Sequence, residues 1–342
     1  MDQKINVGLI GAGRIGRLHA TNLAYRIPQA DLVAVSDIYV KAAEELGEKL
    51  DISAVHKDHR PILDDEDVDA VLICTSTDTH AQIITEAAEA GKQIFCEKPI
   101  ALDLAKIDRA LEAVKQAGVK LQIGFNRRFD HNFRRVRETV TAGKIGEPHI
   151  LRITSRDPGP PPIEYVKVSG GIFLDMTIHD FDMARYLIDS PVEEIYATGG
   201  VMVDEAIGEA GDIDTAIIVL RFENGVIGTI DNSREAVYGY DQRVEVFGNG
   251  GCIRVGNDYP NTALLSDADN VRRDLPLNFF MDRYVDSYVD ELRAFVECVV
   301  EDTPPPVDGM DGRIPIVMGY AAKRSLQENR PVKLSEIEGD TQ

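Results

Sequence analysis

INVGLIGAGRIGRLHA, residues 5–20, decides the fold: six apolar or small residues, Ile5 to Ile10, run straight into Gly11-Ala12-Gly13-Arg14-Ile15-Gly16 and then into a helical pattern. An apolar run that does not alternate reads as a strand buried on both faces. A GxGxxG between such a strand and a helix gives each glycine its own task. The first makes the tight turn, the second lets a pyrophosphate approach the backbone, and the third lets helix and strand pack closely. The start of the helix adds free N–H donors and a partial positive charge. These residues, 11 to 16, are therefore the expected dinucleotide-phosphate site.

The same grammar continues outward. DLVAVSD (31–37), DAVLICTS (69–76), KQIFCEK (92–98) and VKLQIGF (119–125) alternate with the helical patterns KAAEELGEKL, THAQIITEAAEAG and LAKIDRALEAVKQAG. Helices between buried strands imply right-handed crossovers and a parallel sheet, so residues 1–124 are expected to form a doubly wound Rossmann domain. After Gly124 the pattern changes: HILRITSRDP, EEIYATGGVMV, TAIIVLRFENGVIGTIDNS, QRVEVFGNGGCIRVG and NTALLSD follow with turns between most of them. ENG and GNGG are hairpin signals. Residues 125–342 are expected to form an α/β domain with a large, open, mostly antiparallel sheet. Helices are expected at about 172–188, 282–301 and 312–327, the last two separated by Pro304-Pro305-Pro306.

Composition narrows the function. The 342 residues carry 37 basic and 58 acidic side chains, a net charge of −21. Such a surface repels phosphate backbones and anionic membranes, which argues against nucleic-acid and membrane partners. No apolar run approaches the roughly 20 residues of a membrane span, and regular patterning from Lys4 predicts no leader, so a cytoplasmic location is expected. The four cysteines, Cys74, Cys96, Cys252 and Cys298, show no CxxC spacing, and the histidines show no ligand spacing; no metal site is indicated.

Asp37 ends the second strand about twenty residues after the third glycine, where a carboxylate accepts the adenosine ribose hydroxyls and repels a 2′-phosphate; NAD is the expected cofactor. Thr75, Ser76 and His80 follow DAVLICTS, where loops of such a sheet face the cofactor, although His80 could equally be an exposed residue of a helix start. Glu97-Lys98-Pro99 closes KQIFCEK at the end of the sheet that faces the ligand crevice, so Lys98 is aimed where a substrate hydroxyl would lie. Asp175 and His179, four apart, would share one face of a single helix. Histidine is the side chain best suited to take a hydroxyl proton near neutral pH. Arg127, Arg128 and Asp157 are substrate candidates that could equally form surface or intersubunit salt bridges.

The glycine loop, Glu97-Lys98-Pro99, and Gly170-Gly171 with Asp175 and His179 together resemble the Gfo/Idh/MocA oxidoreductase family over essentially the whole chain. Within it, GFNRRFD (124–130), TSRDP (154–158), LDMTIHDFDMARYL (174–187) and AVYGYDQRVEVFG (236–248) resemble the inositol-oxidising members. The chain departs from some of those members at Ser155, where they carry histidine. The resemblance implies NAD-dependent oxidation of a ring hydroxyl of myo-inositol. It also implies Lys98, Asp175 and His179 as catalytic trio, Asp182 and Tyr238 as polyol contacts, a cis Lys98–Pro99 bond, and a homotetramer. Two alternatives stand beside it: a dehydrogenase for scyllo-inositol or a pyranose, and a non-catalytic NAD-bound sensor.

Overall fold

The computed structural model describes residues 4–339. The chain forms two compact units: residues up to Phe129 with Asp286–Ile314, and Asp130–Val285 with the segment from Pro315 on.

The first unit is built on six strands, β1 (Ile5–Ile10), β2 (Ala30–Ser36), β3 (Ala54–His56), β4 (Ala70–Ile73), β5 (Gln93–Glu97) and β6 (Leu121–Gly124). They pair in the order β3-β2-β1-β4-β5-β6, every neighbour parallel. This is the Rossmann order, with the ligand crevice expected where it reverses between β1 and β4. Val7, Leu9, Val71, Leu72, Ile94 and Phe95 are all fully buried, which is why these runs are apolar without alternation. The edge strand β3 has only three residues and no apolar run to announce it.

The helix Val285–Val300 sends Leu292, Phe295, Val296 and Cys298 into the apolar cluster that contains Leu9, Leu23, Leu46, Leu72 and Phe95. Phe95 and Phe295 meet edge to face at 5.9 Å. Residues 286–314 therefore pack with the first unit, a grouping that differs from the division expected after Gly124.

The second unit holds β7 (Pro148–Arg156), β8 (Val192–Gly200), β9 (Thr215–Phe222), β10 (Ile227–Ser233), β11 (Asp241–Gly248) and β12 (Gly251–Val255). A short pair, β13 (Leu265–Ser266) with β14 (Val271–Arg272), and a last strand, β15 (Val332–Lys333), follow. The main sheet runs β12-β11-β7-β10-β9-β8-β15, antiparallel throughout except for β7 beside β10. ENG is the β9–β10 turn, with Gly225 at φ +88°, a conformation that glycine adopts without a Cβ penalty. NTALLSD contributes only β13, outside the main sheet.

Two helical features differ from expectation. His131–Thr141 is a helix, capped by Asp130, whose carboxylate accepts from the Asn132 and Phe133 amides at 3.0 and 3.1 Å. The expected helix over 172–188 is two helices, Ile172–Asp175 and Ile178–Ile188. At the break the Thr177 amide bonds back five residues to the Ile172 carbonyl, and the Thr177 hydroxyl donates to Asn232 Oδ1 at 2.6 Å. Asp175 and His179 thus sit on successive short helices, because a side-chain bond to β10 draws Thr177 out of regular helical register.

Candidate active site

In the first unit the glycine loop has the geometry that its sequence implies. Gly11 adopts φ +101°, and a Cβ there would lie 2.6 Å from the Cys74 carbonyl; one on Gly16 would lie 1.9 Å from the Gly11 oxygen. A Cβ on Gly13 would meet nothing within 4 Å. The first and third glycines are thus demanded by the protein itself. The second opens a space at the start of the helix Arg14–Arg26, whose cap position, Gly13, has no side chain to bond the helix amides. That arrangement fits a pyrophosphate. Ala12 is buried, Ile15 is half-buried and Arg14 is exposed beside it.

Asp37 stands at the end of β2 with Oδ2 accepting from the Ala12 amide at 2.7 Å and Oδ1 from the Tyr39 amide at 2.8 Å. A fixed carboxylate beside the glycine loop suits ribose hydroxyls and disfavours a 2′-phosphate. Thr75 bonds Thr79 through their hydroxyls at 2.7 Å, and Ser76 is exposed at the start of the helix Thr77–Glu89. His80 is buried rather than exposed. One ring nitrogen lies 2.8 Å from the Pro99 carbonyl and the other 3.1 Å from that of Thr75. Burial pushes its pKa down, against the opposing pull of the two carbonyls. A neutral imidazole has one N–H, so His80 donates to one of these two carbonyls and sits against the other, between the Thr75 loop and Pro99.

The Lys98–Pro99 bond is cis, as expected. Glu97 turns inward, with Oε1 2.6 Å from Nε2 of the fully buried His19. A Cβ on Gly124 would come within 3.1 Å of the Glu97 carboxylate, so the glycine ending β6 leaves that group its room. Glu291, also fully buried, stands 3.9 Å from His19 Nε2, and neither of its oxygens has a hydrogen-bond partner. Burial, followed by the Glu97 charge, holds the Glu291 carboxyl well above its usual range. Glu291 was not foreseen from sequence. Arg127 is buried in the short helical turn Asn126–Phe129, and the neighbouring Arg128 pairs with Asp311 at 2.9 Å.

Lys98 belongs to the first unit; Asp175 and His179 belong to the second. Asp175 closes its four-residue helix with Oδ1 accepting from the Tyr165 hydroxyl at 2.8 Å and Oδ2 from Arg234 at 3.3 Å. His179, half-buried, lies in the first turn of the next helix, and Asp182 is buried on the same helix. Asp180 accepts from Asn232 Nδ2 at 2.9 Å, which ties this helix to β10. Asp157, just past β7, is held by its backbone, donating to Ser233 and accepting from Ala236. The Tyr238 hydroxyl donates to Asp241 at 2.6 Å and accepts from Arg156 at 3.1 Å. Burial, and then the bond to Asp241, raise its pKa, so it stays a neutral phenol. Ser155 is buried and donates to Gln242 at 3.1 Å.

Residues 5–125 match the oxidoreductase family with an NAD-binding Rossmann fold, and residues 133–254 match the Gfo/Idh/MocA carboxy-terminal domain. The chain belongs to the Gfo/Idh/MocA oxidoreductase family. It is 53% identical to the myo-inositol 2-dehydrogenase of Thermotoga maritima, over 98% of this chain and 100% of that one. It is 37% identical to a Bacillus subtilis scyllo-inositol 2-dehydrogenase (NAD+), over 98% and 97%. The crystal structure of Lactobacillus casei myo-inositol dehydrogenase with NAD(H) and myo-inositol is 27% identical and superposes with a TM-score of 0.87, covering 97% of each chain.

The family's cofactor, NAD, fits the residues present. Gly13 leaves the opening, the helix start offers its amides, and Asp37 is already oriented beside the loop. What local motifs did not disclose is the set around Asp175. Tyr165 is ten residues from it and Arg234 fifty-nine, and no spacing rule relates residues that only tertiary folding brings together.

Proposed function

We propose that this Gfo/Idh/MocA protein is an NAD-dependent inositol 2-dehydrogenase that oxidises myo-inositol to 2-keto-myo-inositol (scyllo-inosose). The observation that carries the reading is the full-length likeness to the Thermotoga myo-inositol 2-dehydrogenase, in a chain that keeps Lys98, Asp175 and His179. NAD, when bound, supplies the hydride acceptor. His179 takes the hydroxyl proton as general base. Lys98 binds the reacting oxygen and stabilises the negative charge that grows on it. Asp175 accepts from a neighbouring ring hydroxyl or orients His179. Asp182, Tyr238, Arg127 and Asp157 are assigned the remaining hydroxyls, a mixture of donors and acceptors that suits a neutral polyol. In the first domain, residues 1–124, Gly11 to Gly16, Asp37, Thr75 and Ser76 hold NAD, while His80 and Glu97 fix the loops that do so.

Residues 125–342 are assigned to substrate binding and to assembly of a homotetramer, in a cytoplasmic enzyme of inositol catabolism. Among the described residues no helix is long and apolar enough to cross a membrane. The 37% identity to a scyllo-inositol enzyme favours one second reading, oxidation of that isomer by the same residues.

The test is His179→Ala. Loss of a positioned base costs about 10²–10⁴-fold in rate, so turnover of myo-inositol should fall by that factor while NAD binding, followed by fluorescence quenching, survives. Unchanged turnover across neutral pH removes the role given to His179.

A further inference from the structure

Arg234 is the largest fully buried side chain of the second unit, 1% exposed. A guanidinium withdrawn from water must have its charge met, and this one faces two carboxylates. Nη1 donates to Asp175 Oδ2 at 3.3 Å, and Nη2 lies 3.7 Å from Asp212 Oδ2. Asp212 turns its other oxygen to the amide of Ile172 at 3.1 Å. Ile172 opens the four-residue helix that Asp175 closes, so one guanidinium reaches both ends of that helix, directly at Asp175 and through Asp212 at the start.

The backbone is shaped to allow this. Gly171 sits at φ +86°, and a Cβ there would lie 2.7 Å from Asp212 Oδ1. A larger residue would push the carboxylate off the helix start. The other oxygen of Asp175 is held by Tyr165, whose hydroxyl donates to Oδ1 at 2.8 Å. Tyr165 is itself half-exposed. Withdrawal of its hydroxyl end from water, and then the Asp175 charge, hold its phenol above the usual value, so it remains a donor.

We propose that Arg234, with Tyr165 and Asp212, is a positioning residue for cyclitol oxidation: it fixes the orientation in which the Asp175 carboxylate meets the substrate. The proposal rests on the dehydrogenase reading above. It is specific to arginine, because a planar guanidinium spreads its charge between two carboxylates, Asp175 by a hydrogen bond and Asp212 across 3.7 Å, where a lysine ammonium is a point charge.

The experiment compares the full-length chain with Arg234→Lys, Asp212→Asn and Tyr165→Phe, measuring kcat and KM for myo-inositol, the pH profile of kcat/KM, and the affinity for NADH by fluorescence. Tyr165→Phe removes one charge-assisted bond from a half-exposed side chain. It should lower kcat/KM about ten- to hundredfold with NADH affinity unchanged. Arg234→Lys should lose at least as much. The loss should appear across the whole pH profile, because lysine keeps the positive charge and loses only the planar geometry. Asp212→Asn should shift kcat/KM in the same direction. If Arg234→Lys or Asp212→Asn fails to fold, Tyr165→Phe decides. Values of kcat/KM within twofold of the unmodified chain overturn the role. An unmodified chain that oxidises no cyclitol overturns the dehydrogenase reading and this role with it. Activity in the unmodified chain and in Tyr165→Phe alike overturns this role alone.

Discussion

Glu291 puts a carboxyl where, among the described residues, no group hydrogen-bonds it. Its neighbours are His19 at 3.9 Å and, beyond that ring, the Glu97 carboxylate. The folded state therefore holds a proton on Glu291 at pH values where the unfolded chain, with its carboxyl near 4.5, has released it. The contribution of Glu291 to stability falls as pH rises above 4.5 towards the higher folded value, because over that window this group binds more protons in the folded state. Glu291→Gln, which keeps the shape of the neutral acid, should abolish that slope. Denaturant titrations between pH 4 and 8 should show the variant gaining on the unmodified protein as pH rises. A variant that holds level or loses ground as pH rises would mean that Glu291 ionises as readily in the fold as in the unfolded chain. This residue also marks the limit of reading a sequence. The glycines of residues 11–16 are legible because their geometry follows from the strand they adjoin. Glu291 and Arg234 acquire theirs from partners far along the chain.

Among elements, the five longer strands of the Rossmann sheet and the hairpin at ENG were legible because burial on two faces or one leaves its own period in the sequence. The edge strand β3 left none. The helix His131–Thr141 could have been found from Asp130 as its cap followed by Phe133, Val136 and Thr139 on its buried face. The break at Met176 and Thr177 could not, since it depends on Asn232 across the sheet. The helix Val285–Val300 was foreseen as a helix and not as a member of the first unit's core. Phe295, fully buried and edge to face with Phe95, is where that membership is most directly measured. Phe295→Ala should destabilise the protein by about 3–5 kcal/mol, read as a lower denaturant midpoint. A midpoint unchanged from that of the unmodified chain would mean that the helix does not pack on the Rossmann core in solution.

At the scale of the molecule, the second sheet alternates along β9, with Ala216, Ile218, Leu220 and Phe222 buried and Ile217 turned out. Ile227 and Phe247 on β10 and β11 are exposed as well. An uncovered sheet face carrying large apolar side chains supports assembly with further copies. Light scattering should give a mass near four times 37.7 kDa; a mass of one chain removes the tetramer. The net charge of −21 disfavours anionic substrates and leaves a neutral polyol unopposed. The most direct measurement is the appearance of reduced nicotinamide when the purified chain meets myo-inositol, scyllo-inositol and a pyranose in turn, each with NAD and with NADP. Myo-inositol with NAD should give the highest kcat/KM, and Asp37 beside the glycine loop should make NADP far poorer. Preference for a pyranose, or equal use of the two cofactors, would show that the substrate or the Asp37 assignment is wrong, and no reduction with any polyol would show that the protein is not this enzyme.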